Sequence, residues 1–215
     1  MAKSSANSNL INKTIYQDIF PKELSKSDIR RIEILRGAIL AYSNVDFDHV
    51  SYDDVAKPAK TSSRLVQHYF PSKDALFEAA MKMIRAQYQL DTVEAFHKIK
   101  DPEKKFFEYI KAALNWPAAQ PVHVRAWFLF YLVCSHKAKF KKMHAELALM
   151  GAERIKGILG AFIDKPDLEL HFIAKTVQRL ITGSLIEVCS EQSIPDLERT
   201  KNELAKACLL LIKNA

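Results

Sequence analysis

The chain has 215 residues, 48% of them hydrophobic and 27% charged, a composition that excludes disordered and fibrous proteins and can supply a real core. Only five glycines argue against an all-β fold with many tight turns and favour a helical protein. A formal net charge of +7 tilts the partners toward anions, meaning nucleic acid or an acidic surface.

Residues 1–27 are polar and carry Lys3, Lys13, Lys22 and Lys26, which predicts a flexible basic arm with one short helix around Leu10 to Phe20. From Ile29 the spacing turns helical, with Ile32, Leu35, Ile39 and Tyr42 on one face. Ser51-Tyr52-Asp53-Asp54 has capping-box spacing, Ser62 and Ser72 suit N-caps, and Asp101-Pro102 reads as a cap followed by proline at the first helical position. Pro58 should end or kink the second helix, and Pro117 and Pro121 bracket a break. Ser193-Ile194-Pro195-Asp196 opens the last helix. The expectation is an all-α chain of about nine helices, at 29–44, 52–58, 62–69, 72–99, 102–115, 122–136, 139–163, 167–190 and 194–213.

Cys134, Cys189 and Cys208 are odd in number, far apart and set in apolar runs, so they read as free thiols in a reducing cytoplasm. Residues 1–20 lack the apolar core of a secretory signal. The longest apolar run, Ala126 to Cys134, falls well short of the ~20 residues that span a bilayer. No phosphate-binding loop, dinucleotide fingerprint or HExxH motif occurs, and His136 and His144 lack metal-ligand spacing. Neither an enzyme nor a bound cofactor or metal is expected.

The informative stretch is 29–77: a long helix, a short acidic-capped helix, a tight break and a second short helix. Such an arrangement is a helix-turn-helix, whose second helix can enter the major groove. From Val55 through Lys73 the chain carries Lys57, Lys60, Arg64 and Lys73 and no acid, the charge pattern that phosphate and base-edge contact requires.

The stretch FDHVSYDDVAKPAKTSSRLVQHYFPSKDALFEA, and above all His68-Tyr69-Phe70-Pro71-Ser72-Lys73-Asp74-Ala75-Leu76, resembles the DNA-binding domain of TetR-family transcriptional repressors. Phe47, Val55, Ala56, Ala59 and Ser62 fall at the positions that resemblance requires. It implies a three-helix reader at 28–75 and a helical ligand-binding and dimerisation domain at 76–215. Ser51, at the start of the second helix, could hold a backbone phosphate with its hydroxyl or the amides beside it. Ser62, Ser63 and Arg64 form the first turn of the recognition helix, where Arg64 could fork onto guanine and Gln67 onto adenine. By the resemblance His68 and Tyr69 contact phosphates while Phe70 plugs the core. Lys73 sits in a first helical turn, unfavourable for a cation unless an anion lies opposite.

Two features depart from the family pattern. Lys60-Thr61 stands where the turn usually has glycine and valine, and a left-handed Lys60 would cost about 1–2 kcal/mol relative to glycine. Asp46, Asp48, Asp53 and Asp54 put four carboxylates near the expected DNA backbone.

In the second half, Trp127, Phe130, Tyr131 and Cys134 share a helix face. With Trp116, Phe162 and Phe172 they could wall a pocket for an apolar or cationic effector, given room by Gly157, Gly160 and Gly183. Arg125 to Tyr131 and Ile181 to Glu187 faintly resemble the choline-responsive branch, which does not by itself name an effector. The family architecture implies a two-fold dimer through the last two helices, using Val177, Leu180, Ser184, Val188, Leu204, Cys208 and Leu209. The expected protein is a ligand-responsive dimeric repressor of a palindromic operator, in the cytoplasm and off the membrane. A second reading, motivated by Lys60 and Pro58, is an effector-free helical adaptor or architectural binder that has lost sequence-specific reading.

Overall fold

In the computed structural model, residues 23–190 and 197–214 are described. Of the arm expected at 1–27, residues 1–22 with the short helix at Leu10 to Phe20 lie outside them, as does the opening at Ser193 to Asp196, while Lys26 and Ser27 are already helical. All regular structure among the described residues is helical: α1 Lys26–Tyr42, α2 Tyr52–Ala56, α3 Ser63–Tyr69, α4 Lys73–Phe96, α5 Pro102–Ala119, α6 Pro121–His136, α7 Ala138–Leu159, α8 Asp167–Ser190 and α9 Leu197–Asn214.

The helix starts follow local chemistry. Ser25 and Asp28 close a reciprocal capping box on α1, and Ser51 and Asp54 close another on α2. Ser62 accepts from Leu65 N–H at 3.2 Å, and Ser72 from Ala75 N–H at 3.1 Å. Asp101 accepts from the amides of Glu103 and Lys104 ahead of α5. The expected break at Pro117 does not occur; α5 runs through it to Ala119. Proline there removes one N–H, and the buried Trp116 beside it donates its indole N–H to Asp91 at 3.0 Å, which holds the last turn in place.

The chain divides into two compact units. One gathers α1–α3, α4 as far as Tyr88, α6, and α7 as far as Ala145. Its core is an aromatic cluster around the fully buried Phe77, whose ring lies 4.8 Å from Tyr42, 4.8 Å from Phe47, 5.1 Å from Phe140 and 6.0 Å from Phe130. The α1–α2 loop, α4, α6 and α7 thus meet on one ring. Gly37 marks the contact of α1 with α2: a Cβ there would stand 2.6 Å from the Val55 carbonyl oxygen.

The other unit gathers α4 from Gln89, α5, α7 from Glu146, α8 and α9. Phe106, Tyr109, Ile110 and Leu114 of α5, Ile173, Val177 and Ile181 of α8, and Leu204 and Cys208 of α9 are buried in it. Gly157 and Gly183 face open space, so they do not mark close helix approaches within the chain.

Candidate nucleic-acid interface

The site is built on α2, α3 and the turn between them. Pro58 was expected to force Lys57 out of helical conformation, yet Lys57 has φ −56° and ψ −59°. The chain makes one further turn and closes it with two bonds, Thr61 N–H to Ala56 C=O at 3.0 Å and Lys60 N–H to Lys57 C=O at 3.1 Å. That pair is a Schellman ending, which places Lys60 in the left-handed position, with φ 50°. Proline is tolerated because only its own missing N–H is lost. Lys60 carries the strain instead. Lys60→Gly should therefore stabilise the fold by about 1 kcal/mol, read as a higher midpoint in urea or heat. An unchanged midpoint would mean that the strain is absent.

Recognition helix α3 is clamped from below by Val66, fully buried, and capped at its far end by the buried Phe70. Ser62, Arg64, Gln67 and His68 are exposed, and Arg64, Gln67 and His68 stand at one-turn spacings on one side. Arg64 and Gln67 have the outward reach that base-edge contact requires.

Other hydroxyls expected to bind DNA already have partners. Ser51 donates both its hydroxyl (2.6 Å) and its backbone N–H (2.9 Å) to Asp54. Ser63 donates to Asp53. The Tyr69 hydroxyl lies 3.3 Å from that of Ser27 on α1, and Lys73 donates to the Asp48 carbonyl at 3.3 Å. The four carboxylates likewise have structural work: Asp54 caps α2, Asp53 holds the recognition helix, Asp48 pairs with Lys137 at 3.4 Å, and Asp46 lies 4.0 Å from His49. Asp53 and Gly37 are the residues that reading the sequence missed as positioning groups. An isolated glycine inside an apolar helix was the available signal for Gly37.

The hydrogen bonds from Ser51 hold the Asp54 carboxyl below its ordinary value of 3.8, and those from Ser25 do the same for Asp28. A depressed carboxyl contributes stability that is complete above its unfolded value and disappears as pH falls through the folded one. The two caps should loosen only below about pH 4. Asp54→Asn should flatten that acid limb of the stability profile, whereas a limb identical to wild type would contradict the assignment.

The residues expected to wall a pocket fall into both units. In the first, Trp127, Phe130 and Tyr131 do cluster, with Trp127–Phe130 and Tyr131–His144 ring centroids 5.1 Å and 4.9 Å apart. Burial lowers the pKa of His144, which disfavours a charge on its imidazole. Cys134 donates its thiol to the Phe140 carbonyl at 3.3 Å, and burial pushes that thiol up to about 11. In the second unit, Trp116 binds Asp91 and Phe162 packs on Phe106 at 6.0 Å. Phe172 does not face an interior: it is 57% exposed and opens, with Pro166, Leu168 and Glu169, onto a surface depression. The reason is helical phase, since Leu168 and Phe172 share the face opposite Ile173 and Val177.

Of the expected dimer contacts, Val177, Leu204 and Cys208 are buried by the chain itself. Leu180, Ser184, Val188 and Leu209 remain partly exposed, beside the exposed Ile186 and Leu210.

The comparisons agree with this geometry. Residues 34–80 match the family model for bacterial regulatory proteins of the tetR family, spanning α1 to the first turns of α4. The chain is similar to the HTH-type transcriptional regulator BetI of Agrobacterium fabrum, 22% identical over 166 residues that cover 76% of this chain and 79% of that one. It is 20% identical to the protein of the same name from Escherichia coli, over 80% of this chain and 98% of that one. Its fold matches a transcriptional regulator from Rhodococcus sp. Rha1 with a TM-score of 0.73 at 16% identity, over 86% and 97% of the two chains. It also matches a putative transcriptional regulator from Saccharomonospora viridis, solved in complex with choline, with a TM-score of 0.67 at 18% identity, over 84% and 95%. Residues 34–80 thus carry a tetR-type helix-turn-helix domain, and the chain as a whole is similar to helix-turn-helix transcriptional regulators in sequence and fold.

Proposed function

We propose that the protein is a dimeric repressor that binds a palindromic operator through α3 and is released by a small-molecule effector. The observation that carries the reading is the exposed row Arg64, Gln67 and His68 on a helix whose inner side is locked by Val66 and Asp53. The closed turn at Thr61 and Lys60 supports a sequence reader over an architectural adaptor, because the left-handed lysine completes the motif and does not disrupt it.

In this reading Arg64 and Gln67 touch bases, while Ser62, His68, Lys73 and Lys60 touch phosphates. Ser51, Ser63 and Tyr69 serve mainly to position α2 and α3, with the amides at the start of α2 left for a phosphate. Two copies meet through the exposed parts of α8 and α9, which supplies the two-fold symmetry of a palindrome. The aromatic cluster at Trp127, Phe130 and Tyr131 suits an apolar or cationic effector, because its rings offer π faces and burial disfavours a charge on His144. The choline found with the Saccharomonospora regulator supports that chemistry. An effector that favours one arrangement of α4 by ~1.4 kcal/mol changes operator affinity tenfold. No described helix is long and apolar enough to cross a membrane, and a cytoplasmic site of action fits.

The test compares two variants on operator and random duplex. Arg64→Ala should lose about 1–3 kcal/mol on the operator and little on random DNA. Lys73→Ala should weaken both and lower the salt slope by about one. Identical behaviour of the two variants would remove the division into reader and anchor.

A further inference from the structure

Between Tyr109 and Ala145 the chain contains no Asp or Glu, yet it holds Lys137, Lys139, Lys141 and Lys142 in close succession. These lysines straddle the α6–α7 corner, and that corner belongs to the same compact unit as the recognition helix. Phe140, fully buried against Phe47 and Phe77, fixes the corner to the reader's core. Lys137 pairs with the Asp48 carboxylate, and its ammonium lies 4.2 Å from the centre of the Phe47 ring. Asp48 also accepts from Lys73 through its carbonyl. The cation at the start of α4 and the cation at the corner therefore meet on one residue.

Local structure does not favour this arrangement. Lys139, Lys141 and Lys142 occupy the first turns of α7, the positive end of its dipole, with no acid in the first turn to offset them. Lys139 and Lys142 are three apart on α7, so that pair repels along the helix. Lys139 is answered by Glu78 at 3.1 Å. Lys141 and Lys142 are exposed and form no ion pair among the described residues. A self-repelling row of ammonium groups in the same compact unit as the recognition helix is relieved by a polyanion laid along it.

We propose that Lys137, Lys139, Lys141 and Lys142 form a second phosphate-binding ridge that holds the duplex flanking the site read by α3. The ridge rests on the reading of α3 as a DNA reader, and it adds a contact made by the α6–α7 corner. It makes affinity depend on duplex length as well as sequence.

The test uses the full-length protein and a duplex recovered by selection, in a short form limited to the recovered motif and a form extended by flanking DNA. Fluorescence anisotropy should show wild type binding the extended form more tightly. Lys141→Ala/Lys142→Ala should bind the extended form roughly tenfold more weakly, with a salt slope shallower by about two, and bind the short form as wild type does. Lys141→Arg/Lys142→Arg should restore binding, and all variants should melt as wild type because both side chains are exposed. Equal loss on both lengths, or none on either, overturns the ridge; the second result is also what an acidic protein as the true occupant would give. Wild type that fails to prefer the recovered duplex over random DNA contradicts the reading of α3 instead.

Discussion

Phe77→Ala should cost about 3–5 kcal/mol, the largest loss expected from any single truncation here. The ring is fully buried and meets Tyr42, Phe47, Phe130 and Phe140, so its removal leaves a void between the α1–α2 loop, α4, α6 and α7. Those four rings are themselves packed, which limits collapse into the gap. A domain stable by 5–15 kcal/mol would lose a large part of that margin, and its melting temperature should fall by roughly 10 °C. DNA affinity should fall as well, because Asp48 and Lys73 take their positions from the loop and helix that Phe77 joins. A loss below about 1 kcal/mol would mean that the cluster does not bind these elements together.

Gly37→Ala is the second. An added methyl would stand 2.6 Å from the Val55 carbonyl oxygen, 3.0 Å from Ala59 Cβ and 3.2 Å from Ala59 N. Two of the three neighbours are backbone, so no rotamer change relieves the clash and α2 must move as a body. The expected cost is about 1–3 kcal/mol, reduced by the better helix propensity of alanine. The displaced α2 carries Asp53, which holds Ser63, so recognition should weaken beyond what the stability loss explains. Gly157→Ala is the natural control: open space surrounds that position, and the same exchange there should stabilise by up to about 1 kcal/mol. Similar outcomes at the two glycines would contradict the close approach of α1 and α2.

Helix starts were legible wherever a capping side chain stood directly before the apolar pattern. Ser72 and Asp101-Pro102 mark α4 and α5 where they begin. The start of α1 was read three residues late, at Ile29, because the apolar period begins only after its Ser25–Asp28 box. Proline misled at Pro117, where Trp116 stays helical because one absent N–H is a small loss in a turn that is otherwise packed. By contrast, α2 does end before Pro58, at Ala56, with Lys57 keeping helical angles.

At the interface, the sequence shows which side chains can donate to a phosphate but not which donors are already engaged. Ser51 with Asp54 was legible as a capping box, whereas Asp53 beside Ser63 and Ser27 beside Tyr69 are brought together only by the fold. The apolar stripe of α8 had the same ambiguity. Val177 and Leu180 read alike in a pattern, yet Val177 is buried by its own chain and Leu180 stays partly exposed. Arg64, Gln67 and His68 fall on one outward side, because a short helix with a buried valine in its middle has only one face left for water.

The measurement that bears most directly on these conclusions is selection of the full-length protein against a library of random duplex DNA, followed by sequencing of the bound fraction. A dimer reading through α3 predicts enrichment of one inverted repeat, its half-sites one helical turn or more apart, bound by the protein in even stoichiometry and lost with Arg64→Ala. Recovery of a pool without any enriched motif, bound equally well by Arg64→Ala, would contradict it.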